Sequence, residues 1–362
     1  MKIGLITTTI QQPKVLALYA KHAMTLDDFK IFVAGDLKTP GLVDSDVCGT
    51  YIPPGQHNRW KCSNLLPWNS ITRRNIALLH ALEWGAEVVV TVDDDNIPLN
   101  PDYFDHIQYV MERPFNGLRA ASSTGWFDVG QMVFPTAMHR GFPAEKLGVH
   151  ALNSCVGADI GVCAGVVLGD PDIAAVTRIA DHPIVHVVSE VLRAGVVVDP
   201  SAWTVFNTQN TAVLRRFAPA LLCCPQFGRF DDIFASLVCQ RMMREAGYSV
   251  HFGQPFVWQE RNPHDLKVDL EHEVFGMKHV VHLAGVLDHI QTFPVDKHPM
   301  RTMYEVVSHT DWCPDGVLEL VEAWMEDIKT AMQLSEVMLA PLGHRLAFPD
   351  GRAEEGFEVK IK

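Results

Sequence analysis

Residues 93 to 96 read Asp-Asp-Asp-Asn and close an apolar, β-branched run that starts at Ala86. Three adjacent carboxylates repel one another strongly unless a cation stands among them. Such a run fits a strand buried on both faces of a parallel sheet, and open α/β sheets bind ligands just outside the carboxyl ends of their strands. The chemistry this implies is a divalent cation that holds an anionic substrate, most simply a diphosphate. The plainer alternative is a solvated acidic turn with Asn96 as a helix cap. If strand alternation continues through the turn, Asp93 and Asp95 face the cation and Asp94 faces the other side.

Three further groups complete what a nucleoside diphosphate needs. Thr7, Thr8 and Thr9 offer hydroxyls and amides to a base or ribose. Gly35 permits close approach, Asp36 can accept hydrogen bonds from a base or ribose, and Lys38 can reach a phosphate. Arg73, Arg74 and Asn75 stand in the first turn of an expected helix, where the helix dipole disfavours cations, so an anionic partner is expected beside them. With Asp94 counted among the nucleotide-binding groups, donors, acceptors and cations are all present. A cation at Asp93 and Asp95 would neutralise charge on a departing diphosphate while a sugar C1–O bond breaks. Asp231 and Asp232, just before another expected helix, read first as an N-cap. In the functional reading they are acceptor-binding carboxylates or a general base. The polar run at 259–265 adds His264 as a candidate third metal ligand and Arg261 as a phosphate contact, each with an ordinary loop reading beside it. His279 and His282 lack any accompanying ligand pattern, and HExxH, GxGxxG and P-loop motifs are absent.

The elements that must position these groups are legible in outline. Strands at 2–9 and 29–34 flank a helical stretch, the β-α-β spacing of a nucleotide-binding α/β sheet. Residues 41–68, rich in Pro, Gly, Asn and Trp, read as a long surface loop. Helices are expected from Asn69-Ser70 to Trp84-Gly85, over 102–111, 171–182, 231–247 and 314–338, and a strand over 251–258. Val317, Val321, Trp324, Ile328 and Met332 recur at helical spacing and form a core stripe or a subunit face, the latter leaving a homo-oligomer open. The expected division is 1–300 for the nucleotide-sugar-binding unit and 301–362 for a helical extension and tail.

Bulk properties narrow the classes. The 362 residues carry a net charge of −13, which argues against broad nucleic-acid or anionic-membrane binding. No run is long and apolar enough to span a membrane, and the N-terminus is polar too soon for a signal peptide. The eight cysteines show no CxxC pairs and read as reduced core residues of a cytoplasmic protein.

The ordered set of motifs resembles the GT-A-type glycosyltransferase family of reversibly glycosylated polypeptides (UDP-arabinopyranose mutases) and STELLO-like proteins. The segments that carry it are 33–40 (VAGDLKTP), 68–76 (WNSITRRNI), 91–96 (TVDDDN), 139–143 (HRGFP), 206–211 (FNTQNT) and 228–233 (GRFDDI), in family order. The resemblance implies a Rossmann-like GT-A fold, a mixed sheet flanked by helices. It implies Mn2+ or Mg2+ at the Asp93–Asp95 DXD motif and a UDP-sugar donor. It also makes Arg140 a candidate active-site residue, because its segment looks like the one bearing the arginine glycosylated in the mutase branch. The chain departs from that branch at Asn96, where the mutases have Cys, and at Gln259, where they have His. It lacks the membrane anchors of the STELLO-like proteins. The reading is therefore a metal-dependent transfer from a UDP-sugar to an unidentified acceptor. The alternatives are a mutase and a noncatalytic nucleotide-sugar-binding subunit. A sugar, a protein, a lipid carrier or a modified nucleic-acid base would each serve as acceptor, the last disfavoured by the acidic charge.

Overall fold

A computed structural model describes residues 1–260, 265–294 and 297–333. The chain begins with β1 (Ile3–Thr9), α1 (Leu16–His22), β2 (Phe29–Gly35) and β3 (Thr50–Ile52). Next come α2 (Arg74–Trp84), β4 (Val88–Val92), β5 (Ile97–Pro98), α3 (Tyr103–Glu112) and β6 (Phe115–Ser122). Short β7 (Trp126–Phe127) and β8 (Val133–Phe134) precede the long β9 (His150–Gly169) and α4 (Ala175–Ala180). β10 (Val187–Val188), α5 (Glu190–Ala194), β11 (Val196–Val198), β12 (Trp203–Thr204) and β13 (Asn210–Leu214) follow. The described chain closes with α6 (Asp231–Glu245), β14 (Tyr248–Gln259), α7 (Leu266–Asp288), α8 (Pro299–Ser308) and α9 (Val317–Met332).

The expected mixed sheet flanked by helices is what the chain forms. Its order is β3-β2-β1-β4-β13-β9-β6-β11-β14-β5, and β14 also pairs with β9. The first four strands run parallel, and β13 then enters antiparallel, opposing Asn210 to Val92. β4 is therefore buried on both faces, as its composition predicts, but lies between one parallel and one antiparallel neighbour. The period-2 rule shows directly in it. Val88, Val90 and Val92 pack with Tyr19, Tyr103 and Phe104 of α1 and α3, while Val89 faces the larger core under α2, α6, α7, α8 and α9.

One expectation changes. Residues 41–68 are more ordered than a surface loop: they contain β3 and 3-10 turns at Pro54–Arg59 and Lys61–Leu65, and bury Val47, Ile52, Trp60, Cys62 and Leu66. Asp327 of α9 secures this segment by accepting the amides of Lys61 (2.9 Å) and Cys62 (2.8 Å). The expected boundary at 300 falls inside α8. Val317, Val321, Trp324 and Ile328 are at most 1% exposed and lie in the same core as α2 and α6. These four residues of the stripe are thus core residues of this chain. Among the described residues no helix is long and apolar enough to cross a membrane. All eight cysteines are unpaired and six of them are buried.

Candidate active site

Parallel pairing of β1 with β4, and the antiparallel start of β13 beside them, bring three chain segments to one edge of the sheet. The turn after β4 is anchored first. The Asp93 amide donates to the Gln209 carbonyl (3.1 Å), the Asn96 Nδ2 to the same carbonyl (2.8 Å), and the Thr91 hydroxyl to the Thr208 carbonyl (2.7 Å). Asn96 is therefore a buried tie to β13 and caps no helix. The strand alternation stops at Val92. Asp93, Asp94 and Asp95, all half-buried, line one cavity of about 720 Å3, together with Thr8, Arg74, Arg140, Asp231 and Asp232. That volume is in the range of small-molecule sites.

The three acids differ in what holds them. Arg74 donates to Asp93 Oδ1 at 2.5 Å and also to Thr208 O and Oγ1. Asp94 accepts the Thr9 hydroxyl; burial, and then the Asp93 charge, raises its carboxyl above the usual range despite that bond and Arg74. Asp95 accepts from the Gln259 carboxamide (3.2 Å). The anionic partner expected for Arg74 is thus the chain's own Asp93.

Opposite the acid strip stands the first turn of α6. Asp231 and Asp232 occupy helical positions after Phe230, where the helix dipole favours anions. The expected N-cap role falls to Phe230, one residue before Asp231 and two before Asp232. Arg140 forks between two carboxylates: its Nε donates to Asp172 Oδ2 (2.6 Å) and its Nη2 to Asp232 Oδ1 (2.9 Å), with Nη1 on the Arg229 carbonyl. Asp232 Oδ2 also accepts from the Thr208 amide (3.1 Å). Asp231 has a weaker set, the Asp232 amide at 2.8 Å, and burial next to the Asp232 charge pushes its carboxyl up to about 7. Gly141 makes the approach of the Arg140 loop to α6 possible: its φ is +85°, and a Cβ there would lie 2.5 Å from Ile233.

Other expected site residues are used elsewhere. Arg73 turns away from the cavity and donates to Leu66 O, Pro67 O and Ser63 Oγ, its guanidinium 3.4 Å over the Trp68 ring. Asn75 clasps Cys223 through both its amide atoms (2.9 and 3.1 Å). Asp36 accepts three backbone amides, from Leu37 and Asn69 at 2.7 Å and Ser70 at 3.0 Å, and so knots the cavity wall at 69–70 without facing the cavity. Gly35 makes room for Tyr51, whose hydroxyl would lie 2.3 Å from a Cβ there. Lys38 is exposed and does not line the cavity. Thr7 is buried below it, Thr8 donates to Ala34 O (2.8 Å) at its wall, and Thr9 holds Asp94. His264 and Arg261 lie outside the described residues.

Asp172, Thr208, Gln209, Arg229 and His272 also line the cavity and had received no role. The polar run before β13 was the available signal for Thr208 and Gln209. Asp172 and His272 had none, being single residues of common type on segments far away in sequence. Cys223 lines the cavity too, but burial and the two α6 carboxylates hold its thiol well above the ordinary range, so it stays protonated. A separate open hollow of about 560 Å3 at Asp102, His106, Arg193 and His251 has its charges on the rim; burial pushes His251 down to about 3 and keeps it neutral.

Among the described residues no three His, Cys, Asp or Glu side chains converge to hold a metal unaided. A Mg2+- or Mn2+-like ion needs no such cage, since one or two carboxylates with substrate oxygens and water suffice. The acid strip fits that pattern: Asp93, Asp94 and Asp95 line one cavity together, and Arg74 is the cation that pairs with Asp93.

No family model matches the chain, and no curated protein matches it in sequence. Among solved structures it is similar to Mycobacterium tuberculosis glucosyl-3-phosphoglycerate synthase in complex with Mn2+ and UDP-glucose. The TM-score is 0.36 and the identity 10%, over 79% of this chain and 78% of that one. It is also similar to the mannosyltransferase PcManGT from Pyrobaculum calidifontis in complex with GDP-Man and Mn2+. There the TM-score is 0.37 and the identity 13%, over 92% of this chain and 87% of that one.

Proposed function

We propose that this chain is a GT-A-type glycosyltransferase that moves a sugar from a UDP-sugar to a protic acceptor. The observation that carries the reading is the meeting of two acid groups across one cavity: Asp93–Asp95 at the end of β4 and Asp231–Asp232 on α6. The first suits a cation and diphosphate, the second an acceptor proton.

Asp95 and Asp93 would hold Mn2+ or Mg2+, which when bound neutralises charge on the leaving diphosphate. Thr8 and the wall at Asn69 and Ser70 border the nucleotide. Arg74, buried and charged, sets the Asp93 carboxylate and adds positive charge beside the phosphates. Asp231, with its carboxyl near neutrality, takes the acceptor's proton, since a base near the working pH combines availability with proton affinity. Arg140 pairs with Asp232 and Asp172 and fixes their orientation. The same fork weighs against the mutase alternative. Flanking carboxylates hold the Arg140 guanidinium protonated well above its ordinary range, and a protonated guanidinium has no lone pair with which to accept a sugar.

Calorimetry with UDP, with and without Mn2+, tests the reading. Mn2+-dependent binding that disappears in Asp95→Ala is expected; no binding under either condition overturns it. Incubation with UDP-arabinopyranose alone separates the mutase, which would yield the furanose form.

A further inference from the structure

A small internal pouch of about 50 Å3 opens beside the cavity, and the two spaces share Asp172, Asn207 and Gln209 as wall residues. Its lining is mostly apolar, with Val166, Ile173, Val185 and Phe206 among its walls beside His139 and Thr211. At roughly 10–15 Å3 per small group, the space takes about four heavy atoms.

The mouth is built for an amide. Gln259 Nε2 donates to the Asp95 carboxylate, which accepts only, so the Gln259 oxygen faces Gln209 and receives its Nε2. This relay fixes the Gln209 carboxamide with its oxygen as the remaining atom. Gln209 is 4% exposed, and among the described residues its Oε1 has no hydrogen-bond partner. A buried acceptor left so is unfavourable, and a ligand donor would relieve it. Across the mouth, Asn207 Nδ2 gives one hydrogen to Asp172 Oδ2 (3.2 Å), and its Oδ1 accepts the Gln209 amide (3.1 Å). Its second Nδ2 hydrogen is given no partner among the described residues. One acceptor, one donor and an apolar pouch behind them match an N–H, a C=O and a methyl group.

Other sugar substituents match less well. A hydroxymethyl carries no methyl group to fill the apolar part of the pouch, and a bare methyl would leave Gln209 Oε1 unpaired. The position also agrees. The mouth lies between the Asp95–Gln259 pair and the Arg140–Asp172–Asp232 cluster, where a sugar joined to a diphosphate at one side and attacked from the other must sit.

We propose that the pouch beneath Asn207 and Gln209 receives the acetamido group of the transferred sugar, so that the donor is a nucleotide-linked N-acetylhexosamine. This inference rests on the donor reading above. The test is calorimetry on the full chain with Mn2+, using UDP, UDP-glucose, UDP-galactose and their 2-acetamido counterparts, with saturation-transfer NMR on the acetyl methyl. Expected are at least about tenfold tighter binding of one acetamido sugar than of its hydroxyl parent, and the strongest saturation at its methyl. Val166→Phe, which fills the pouch, should erase that preference and leave UDP binding unchanged; Ala137→Val gives the same reading should the larger change impair folding. Equal binding of acetamido and hydroxyl sugars, with UDP bound normally, overturns the pouch assignment alone. Absence of UDP binding overturns the donor reading and the pouch with it.

Discussion

Two neighbouring parts of one sheet edge carry acids after parallel strands, and they serve opposite ends. Asp36, after β2, is 1% exposed and fully engaged by three backbone amides. Asp93–Asp95, after β4, are half-buried, and among their partners are one guanidinium, one hydroxyl and one carboxamide. The first carboxylate is consumed in shaping the chain. The second group keeps negative charge facing a cavity. Position at a strand end therefore does not decide whether an acid faces a cavity; the supply of donors from the surrounding chain does. Arg73 and Arg74 repeat the lesson on adjacent residues, since one ties a loop and the other faces Asp93.

The contrast can be broken by substitution. Asp36→Ala should cost about 4 kcal/mol of stability, because three amides lose a charged acceptor at once. Urea unfolding would read it, and a loss below about 1 kcal/mol would mean the knot is dispensable. Asp95→Ala should weaken Mn2+-dependent UDP binding by about 100-fold, or about 2.7 kcal/mol, with the urea midpoint unchanged. A matching fall in stability would place Asp95 with Asp36. Arg73→Ala should destabilise by about 2 kcal/mol through its lost carbonyl bonds and stacking, with donor affinity in the remaining folded protein unaltered. A selective loss of UDP affinity would return Arg73 to the site.

The α6 acid sharpens the comparison through pH. Asp231 must be deprotonated to act as a base, and its carboxyl sits at about 7, so transfer should fall as pH drops through that value. At pH 6 the rate should be about tenfold below its plateau, about 1.4 kcal/mol. Asp231→Asn should remove both the rate and this acid limb. The shift also makes the folded state bind a proton that the unfolded chain releases, so this residue's contribution to stability declines as pH rises from about 4 through 7. A pH-rate profile flat between 6 and 8 would count against the role. Lys38→Ala should change stability by less than about 0.5 kcal/mol and leave UDP binding as it is; a marked loss of UDP affinity would show that the 36–39 turn closes over the nucleotide.

The chain's own pattern determined a good deal. The β-branched run at 88–92 specified a strand buried on both faces, because no charged side chain interrupts it and Thr91 is its one polar residue. Ser70 and Gly85 bounded the helix between them: the Ser70 hydroxyl accepts the Thr72 amide at one end, and Gly85 takes the left-handed conformation at the other. Three consecutive acids after β4 marked the edge where charge would gather. Folding alone decided which of the remaining polar residues face that charge. Asp172, Gln209 and His272 come from segments tens of residues apart and join only through the turn at β13 and the packing of α7. The same packing withdrew Asp36, Arg73, Asn75 and the α9 stripe into structural work, because buried polar and apolar groups must find partners, and those partners come from distant parts of the chain.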